Sequence, residues 1–318
     1  MYTLGIDLGG TNIAVGVVDE SYRIVGRAKV RTNASRPDGD IIADMAETAR
    51  AAVADAGLAM KDIAFAGIAA PGSVNPETGV ISYANNLPFR NTPVAPKLSE
   101  LLGLPCHIDN DANVAAYGEL LAGAGKGAKN FVAVTLGTGV GGGIIVDGKI
   151  YSGFNYAGAE LGHMIIVYGG ETCSCGTKGC WEAYASASAL IRQTVQAMEA
   201  DKSSNMWEVC GGDSSKVNGR TAFDAMRAGD AAGAAVVDRY IGYIACGVVN
   251  IINVFQPEFV CIGGGICNEG DTLLKPLRDK VYSNVYNKGA PEEQLSRIIR
   301  AELGNDAGII GAAMLGNN

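Results

Sequence analysis

Positive charge is in short supply in this chain: 25 Lys and Arg stand against 33 Asp and Glu, giving a net charge of −8 and a pI near 4.9. A nucleic-acid binder needs a basic face, so this balance argues against that class. Charge of either sign is sparse, at 18% of residues against 48% hydrophobic, which excludes a disordered chain and indicates a globular one. No apolar stretch is long and clean enough for a membrane span. The longest, residues 240–255, is broken by Asn250, Asn253 and two glycines, and it is expected to be a buried helix. No basic start and cleavage pattern precedes the first strand-like run, so no secretory signal is expected. Eight cysteines without such a signal point to a reducing compartment, the cytoplasm, with thiols in core or metal roles. Cys106, Cys246, Cys261 and Cys267 lie among apolar neighbours and are expected in the core.

Histidine is nearly absent as well, with two in 318 residues. His107 is expected to be structural. His163, in Glu160-Leu-Gly-His163, shortly precedes Cys173-Ser-Cys175-Gly-Thr-Lys-Gly-Cys180-Trp-Glu182. Three thiolates and an imidazole are the ligand set of a closed tetrahedral zinc site. The spacing is not that of a zinc finger, and a thiol cluster near an unrelated histidine is the competing reading. Glu160 and Glu182 flank the cluster, so a metal clip here would also hold two carboxylates at a polar pocket.

The length suits two domains. The chain also repeats itself: residues 5–19 and 133–147 align without a gap, sharing Leu8/Leu136, Gly9/Gly137, Val18/Val146 and Asp19/Asp147. Each copy reads as strand, glycine-rich turn, strand, and Asp147-Gly148 supplies a hairpin turn after the second. The repeat suggests a duplicated fold with a cleft between its halves. Elsewhere helical spacing over residues 41–53 ends at Gly57, strands are expected at 63–69, 105–109 and 258–262, and helices at 112–121 and 182–200. Residues 201–220 read as a polar excursion. The alternation implies an α/β protein with sheets covered by helices.

Three glycine-rich turns each follow a strand: Asp7-Leu-Gly-Gly-Thr-Asn12, Leu136-Gly-Thr-Gly139 with the glycines after it, and Cys261-Ile-Gly-Gly-Gly-Ile266. Backbone N–H groups in such turns can form anion nests. Asp7 stands where a carboxylate could hold Mg²⁺ through water, and Thr11 and Thr138 offer hydroxyls to phosphate. Neither a Walker loop nor a Rossmann fingerprint is present, and any single turn of this kind can be only a tight turn. Asn110-Asp111-Ala-Asn113 places several polar residues where a strand meets a helix. A helix cap accounts for one of them. An ionised Asp111 of ordinary pKa, fixed at the helix start, suits a base that orients a substrate hydroxyl for phosphoryl transfer.

In this order the motifs resemble the ROK (repressor, open reading frame, kinase) family of sugar kinases, within the actin/hexokinase/Hsp70 superfamily, and among them the bacterial ROK glucokinases. The resemblance runs from residue 3 to Ala307-Gly-Ile-Ile-Gly-Ala-Ala313. It implies duplicated ribonuclease-H-like (actin-like ATPase) domains: a smaller one at 1–115, joined by a C-terminal helix at 304–318, and a larger one with the zinc site at 116–303. It implies transfer of phosphate from MgATP to the 6-hydroxyl of a hexose, D-glucose first, with Asp111 as catalytic base. Gly72, Asn86, Asn110, Asp111, Glu160, His163 and Glu182 would meet the sugar, although Asn85 competes with Asn86. Asp7, Gly9, Gly10, Thr11, Asn12, Thr138, Gly139, Gly264 and Gly265 would meet the nucleotide. His163, Cys173, Cys175 and Cys180 would hold a structural zinc, with the second ring nitrogen of His163 left for a sugar hydroxyl. ATP, Mg²⁺ and Zn²⁺ are the implied cofactors, and a homodimer is expected, with no nucleic-acid or membrane partner. The competing readings are a kinase for N-acetylmannosamine, N-acetylglucosamine, allose, fructose or mannose, one that takes polyphosphate, a non-catalytic sugar sensor, and a sugar-responsive repressor. The repressors of this family carry a DNA-binding domain ahead of the first phosphate motif, which here begins six residues into the chain.

Overall fold

The computed structural model describes residues 1–317. The chain forms two compact units. One comprises Met1–Ala133, Gly143–Ala159 and the residues from Ala301 onward; the other comprises Val134–Gly142 and Glu160–Arg300.

In the first unit a five-stranded sheet runs in the order Ile24–Arg31, Asn12–Val18, Tyr2–Leu8, Ile63–Ala70, Cys106–Asn110. The first three strands are antiparallel neighbours and the last two are parallel to Tyr2–Leu8. The register sets Gly5 opposite Gly16 on one side and Gly67 on the other. These glycines form a shallow bed for the helix Ala307–Ala313. An ideal Cβ on Gly5 would lie 1.8 Å from the Ile309 carbonyl oxygen, and one on Gly67 would lie 1.7 Å from that of Ala312. The same helix meets Asp111–Ala122 through Gly311, whose Cβ would stand 1.9 Å from the Val114 carbonyl oxygen. Close packing of this kind leaves no room for a methyl group. The helix Asp38–Asp55 turns Ile41, Ile42, Met45, Ala49 and Val53 into the core, where they meet Leu4, Ile6, Val15 and Val17. Its acidic first turn (Asp38, Asp40) complements the helix dipole. A small antiparallel sheet, Ser73–Asn75, Val80–Tyr83 and Arg90–Thr92, completes the unit.

A second five-stranded sheet has the order Lys149–Ile150, Val140–Val146, Phe131–Leu136, Phe259–Gly263, Arg297–Arg300. The repeat read from the sequence corresponds to the strand pairs Tyr2–Leu8/Asn12–Val18 and Phe131–Leu136/Val140–Val146. Asp147 and Gly148 both take positive φ, 51° and 79°, as a two-residue hairpin turn requires. The long helix Ala231–Phe255 starts at Asp230, whose carboxylate accepts from the N–H groups of Ala232 and Gly233. By length and composition alone this helix could cross a membrane; about half of its apolar stretch (56%) is buried against neighbouring helices.

Three expectations are corrected. Residues 182–200 do not form one helix: the chain turns at Ser186 (ψ 163°), whose hydroxyl then caps Ala187–Ala200 by accepting from Ala189 N–H at 3.1 Å. Glu182 thereby sits on its own short helix, Glu182–Ala185. The 201–220 segment is not all excursion, since it contains the turn of helix Met206–Val209 and the 3-10 turn Ser214–Lys216. Among the described residues no disulfide forms, and only two of the four cysteines assigned to the core are buried, Cys261 and Cys267. Cys106 is half-buried, and Cys246 is exposed because the buried stripe of its helix runs through Ile244, Val248 and Ile251.

Candidate active site

The first glycine turn leaves the strand Tyr2–Leu8 just after Asp7. Gly9 N–H donates to the Asn12 carbonyl at 2.9 Å, and Thr32 closes the turn from behind, its hydroxyl donating to the Gly9 carbonyl at 2.7 Å. Gly10 and Thr11 are exposed on its outer edge. Burial, followed by the charge of Asp111, lifts the Asp7 carboxyl to about 6. Asp7 and Asp111 therefore share one electrostatic environment, a residue pair that the sequence reading kept separate.

Asp111 opens the helix Asp111–Ala122. Asn110 caps that helix, its side-chain oxygen accepting from the N–H groups of Ala112 and Asn113 at 3.0 and 3.3 Å. The Asn110 amide donates to the Gly72 carbonyl at 3.1 Å, which brings together two residues that the resemblance assigned to the sugar. Asp111 accepts from Ala112 N–H at 2.9 Å, but burial outweighs that bond and raises its pKa. The expected ordinary pKa is corrected: the dipole at a helix start stabilises a carboxylate by less than desolvation costs it here. Behind it, buried Asp109 accepts from Asn113 Nδ2 at 3.1 Å and fixes the junction.

Asn86 lies in the loop between Tyr83 and Arg90, its Cβ 3.4 Å from where a Cβ on Gly10 would be. Arg90 organises this loop by donating to the carbonyls of Ala84, Leu87 and Phe89 while stacking over Tyr83 at 4.1 Å. His107 is exposed and packs edge-on against Phe65.

In the second unit the turn after Phe131–Leu136 is held by Gly137 N–H donating to the Gly139 carbonyl at 3.0 Å and by Ala187 N–H donating to the Gly137 carbonyl at 2.8 Å. Ser188 donates to the Thr138 carbonyl at 2.9 Å. A cavity of about 250 Å³ opens beside this turn, lined in part by Gly137, Thr138, Arg220, Gly265, Ile266 and Glu269. Gly264 supports its wall. It has φ 92°, and a side chain there would meet the Leu136 carbonyl at 2.2 Å. Arg220 and Glu269 were not foreseen from sequence. Glu269 is ion-paired with Arg227 and its side chain is only 6% exposed, a pairing that no local motif announces.

The cysteine cluster closes as a knuckle. Cys173 N–H donates to the Thr177 carbonyl at 2.8 Å, Gly176 N–H donates back to the Cys173 carbonyl at 2.9 Å, and Gly176 takes φ 87°. The Sγ atoms of Cys173, Cys175 and Cys180 and a ring nitrogen of His163 all lie within 4.8 Å of one another. Cys175 and Cys180 Sγ are 3.7 Å apart. Two ligands of a tetrahedral centre with metal–sulfur bonds of about 2.3 Å are separated by about 3.8 Å, so the Cys175–Cys180 spacing fits a zinc site. Cys173 Sγ lies 3.7 Å from His163 Nδ1, while Nε2 lies 4.0 Å from Glu160 Oε2. One ring nitrogen thus faces the thiols and the other faces a carboxylate. Hydrogen bonds from the Thr177 backbone and hydroxyl pull the exposed Cys175 thiol down to about 7, whereas burial pushes Cys180 up.

Glu182 joins this cluster to the glycine turn. Its Oε1 accepts from Ser174 Oγ at 2.7 Å and from Cys173 Sγ at 3.5 Å, and its Oε2 accepts from Val140 N–H at 3.0 Å. Burial pushes the carboxyl pKa up, but these hydrogen bonds and the nearby His163 outweigh it and the net shift is downward.

Residues 3–318 match the ROK family model. Glucokinase from Thermotoga maritima is 36% identical, over 98% of this chain and 96% of its own length. Among solved structures, a ROK family glucokinase from Streptomyces griseus in complex with glucose and AMPPNP is 33% identical, with a TM-score of 0.79 and full coverage of both chains. A ROK hexokinase from Thermus thermophilus is 31% identical with a TM-score of 0.83, over 99% of this chain and 97% of its own. The fold is that of the actin-like ATPases. The chain belongs to the ROK family.

Proposed function

We propose that the protein transfers the γ-phosphoryl group of ATP to the 6-hydroxyl of a hexose, D-glucose by preference. The observation that carries this reading is the strand–helix junction at Asn110–Asp111, which holds a half-buried carboxylate of raised proton affinity in electrostatic contact with Asp7 beside a phosphate-type turn. Glucokinases of similar sequence over nearly the whole chain support glucose as the acceptor.

In this mechanism Asp111 accepts the proton of the 6-hydroxyl as that oxygen attacks the γ-phosphorus, and ADP leaves in line. Asn110, Glu160, His163 and Glu182 hold the ring hydroxyls, with Gly72 and Asn86 alongside. The N–H groups of the turns at Gly9–Gly10 and Thr138–Gly139 and the hydroxyl of Thr11 hold phosphate oxygens, and the cavity beside Gly265 takes the nucleoside. No protein hydrogen bond reaches the Asp7 carboxylate among the described residues, and burial beside the Asp111 charge raises its pKa, so a cation would relieve it; this suits Asp7 to Mg²⁺ held through water. Bound Mg²⁺ supplies charge neutralisation at the transferring phosphoryl group. Cys173, Cys175, Cys180 and His163 Nδ1 would hold a structural zinc, and ligation through Nδ1 would leave the proton of His163 on Nε2, a directed donor toward a sugar hydroxyl. The reading also takes the enzyme to be a cytoplasmic homodimer, which sedimentation equilibrium tests.

The decisive assay is ADP release from MgATP with glucose, mannose, fructose, allose, N-acetylglucosamine and N-acetylmannosamine, using wild type and Asp111→Ala. Turnover on glucose that disappears in the variant is expected. Turnover on another sugar alone would keep the mechanism and replace the substrate. Folded, zinc-loaded protein inactive on every sugar, with ATP or polyphosphate, would overturn the reading.

A further inference from the structure

Glu182 is held at both ends, and one of its holders lies between two of the cysteines. Ser174 stands between Cys173 and Cys175, where an exposed side chain would ordinarily point to solvent and do nothing. Here its hydroxyl donates to Glu182 Oε1 at 2.7 Å, the shortest contact that this carboxylate makes. The other oxygen is fixed by Val140 N–H at 3.0 Å. Gly139 leaves the room that this geometry needs, since a Cβ there would stand 2.3 Å from Glu182 Oε2.

The third donor, Cys173 Sγ, is further away, at 3.5 Å. Among the described residues Ser174 is therefore the closest donor to Glu182 Oε1. A carboxylate offers about four acceptor positions. With one position on each oxygen held by Ser174 and Val140, the remaining lone pairs have a defined direction and can accept hydroxyl protons at fixed places.

We propose that Ser174 is a positioning residue for sugar recognition: it sets the orientation of the Glu182 carboxylate against the glycine turn 137–140 and so determines hexose affinity without ligating the metal. This rests on the reading in which Glu182 accepts from a sugar hydroxyl. A residue valued only for the fold would show its loss in stability or zinc content. Ser174 is exposed, and its hydroxyl lies closest to the Glu182 carboxylate, at 2.7 Å, with Cys173 Sγ further off at 3.8 Å, so its loss is expected in affinity, and the zinc measurement checks that the Cys173 contact does not matter.

The test uses the full-length, zinc-loaded protein with Ser174→Ala, Ser174→Thr and Glu182→Gln. Glucose Kd is measured by titration calorimetry, KM and kcat by ADP release, and zinc by elemental analysis. Losing one hydrogen bond to a charged acceptor corresponds to roughly a 10-fold weakening. Ser174→Ala is therefore expected to raise the glucose Kd and KM by about that factor, with kcat, ATP KM and zinc content close to wild type. Ser174→Thr, which keeps the hydroxyl, should restore affinity. Wild-type glucose affinity in Ser174→Ala, equal weakness in Ser174→Thr, or a loss that tracks lost zinc would each overturn the proposal. Unchanged affinity in Glu182→Gln would instead overturn the reading beneath it, whatever Ser174 does.

Discussion

Replacing Asp7 by Asn should make the protein more stable while abolishing its chemistry. The Asp7 carboxyl ordinarily titrates near 3.8 and is raised to about 6 in the folded chain, by burial first and by the Asp111 charge second. A raised carboxyl pKa reverses the usual sign: the folded state binds the proton more tightly than the unfolded state, so ionisation works against folding. Below about pH 4 the group is protonated in both states and contributes nothing. Between about 4 and 6 the unfolded chain releases its proton first, and stability falls as pH rises; above 6 the loss is complete. Two units of difference amount to about 3 kcal/mol. The Asn side chain has nearly the same shape and carries no charge, so Asp7→Asn recovers most of that, and a rise in Tm of about 5 °C is expected at pH 8. Thermal unfolding of the ligand-free protein, wild type against variant at pH 5, 6, 7 and 8, measures it. The gap should widen with pH and close toward pH 4. A variant that melts at or below wild type at pH 8, or a gap independent of pH, would refute the reasoning. MgATP should stabilise wild type more than the variant, because the uncompensated charge is what a cation would satisfy.

Three further outcomes follow from other parts of the structure. Since burial raises the pKa of Asp111, the acid limb of the kcat/KM profile should lie above the 3.8 of an ordinary aspartate, with activity lost as pH falls through it; a profile flat down to pH 4 would remove Asp111 as the base. Glu119 is 4% exposed and accepts from the N–H groups of Ala124, Glu302 and Leu303, so Glu119→Ala should cost about 3 kcal/mol in urea unfolding. Gly67→Ala places a methyl group 1.7 Å from the Ala312 carbonyl oxygen and should destabilise by at least about 2 kcal/mol, whereas alanine at exposed, uncrowded Gly39 should not.

How far the sequence could be read depended on whether the determining contacts were local. The cap at Asn110, the hairpin turn at Asp147-Gly148 and the helix face Ile41–Met45–Ala49 are each set within a few residues, and the structure shows all three. The cysteine knuckle is nearly as local; only His163 comes from further away, and the sequence holds no other histidine but His107. Ser186 illustrates the opposite case. The run 182–200 has good helical composition throughout, and the break appears because Ala187 N–H is used by the Gly137 carbonyl at 2.8 Å, a contact fifty residues away. Arg220 and Glu269 meet at one cavity from segments about fifty residues apart, and neither has a spacing that marks it. Ser174 carries no local mark, because its partner is fixed only once the short helix at Glu182 is separated from the next.

Glycine shows why composition and mechanism have to be considered together. The 44 glycines suggest loops, and several do form the turns proposed to hold phosphate. Gly5, Gly67 and Gly118 do something else, giving the helix Ala307–Ala313 a seat with backbone against backbone, while Gly16 leaves room for the Ile309 side chain and Gly311, within the helix, meets the Val114 carbonyl. That seat bears on the active site through Gly308, where a Cβ would lie 3.2 Å from the Asp7 carboxyl carbon. The helix that closes the first unit therefore also covers the carboxylate whose burial raises its pKa, so the packing that stabilises the chain contributes to the charge stress at Asp7. If that link holds, Gly308→Ala should crowd Asp7 and lower MgATP affinity while barely changing the glucose Kd. A variant that loses both affinities together would show a general loosening of the fold instead.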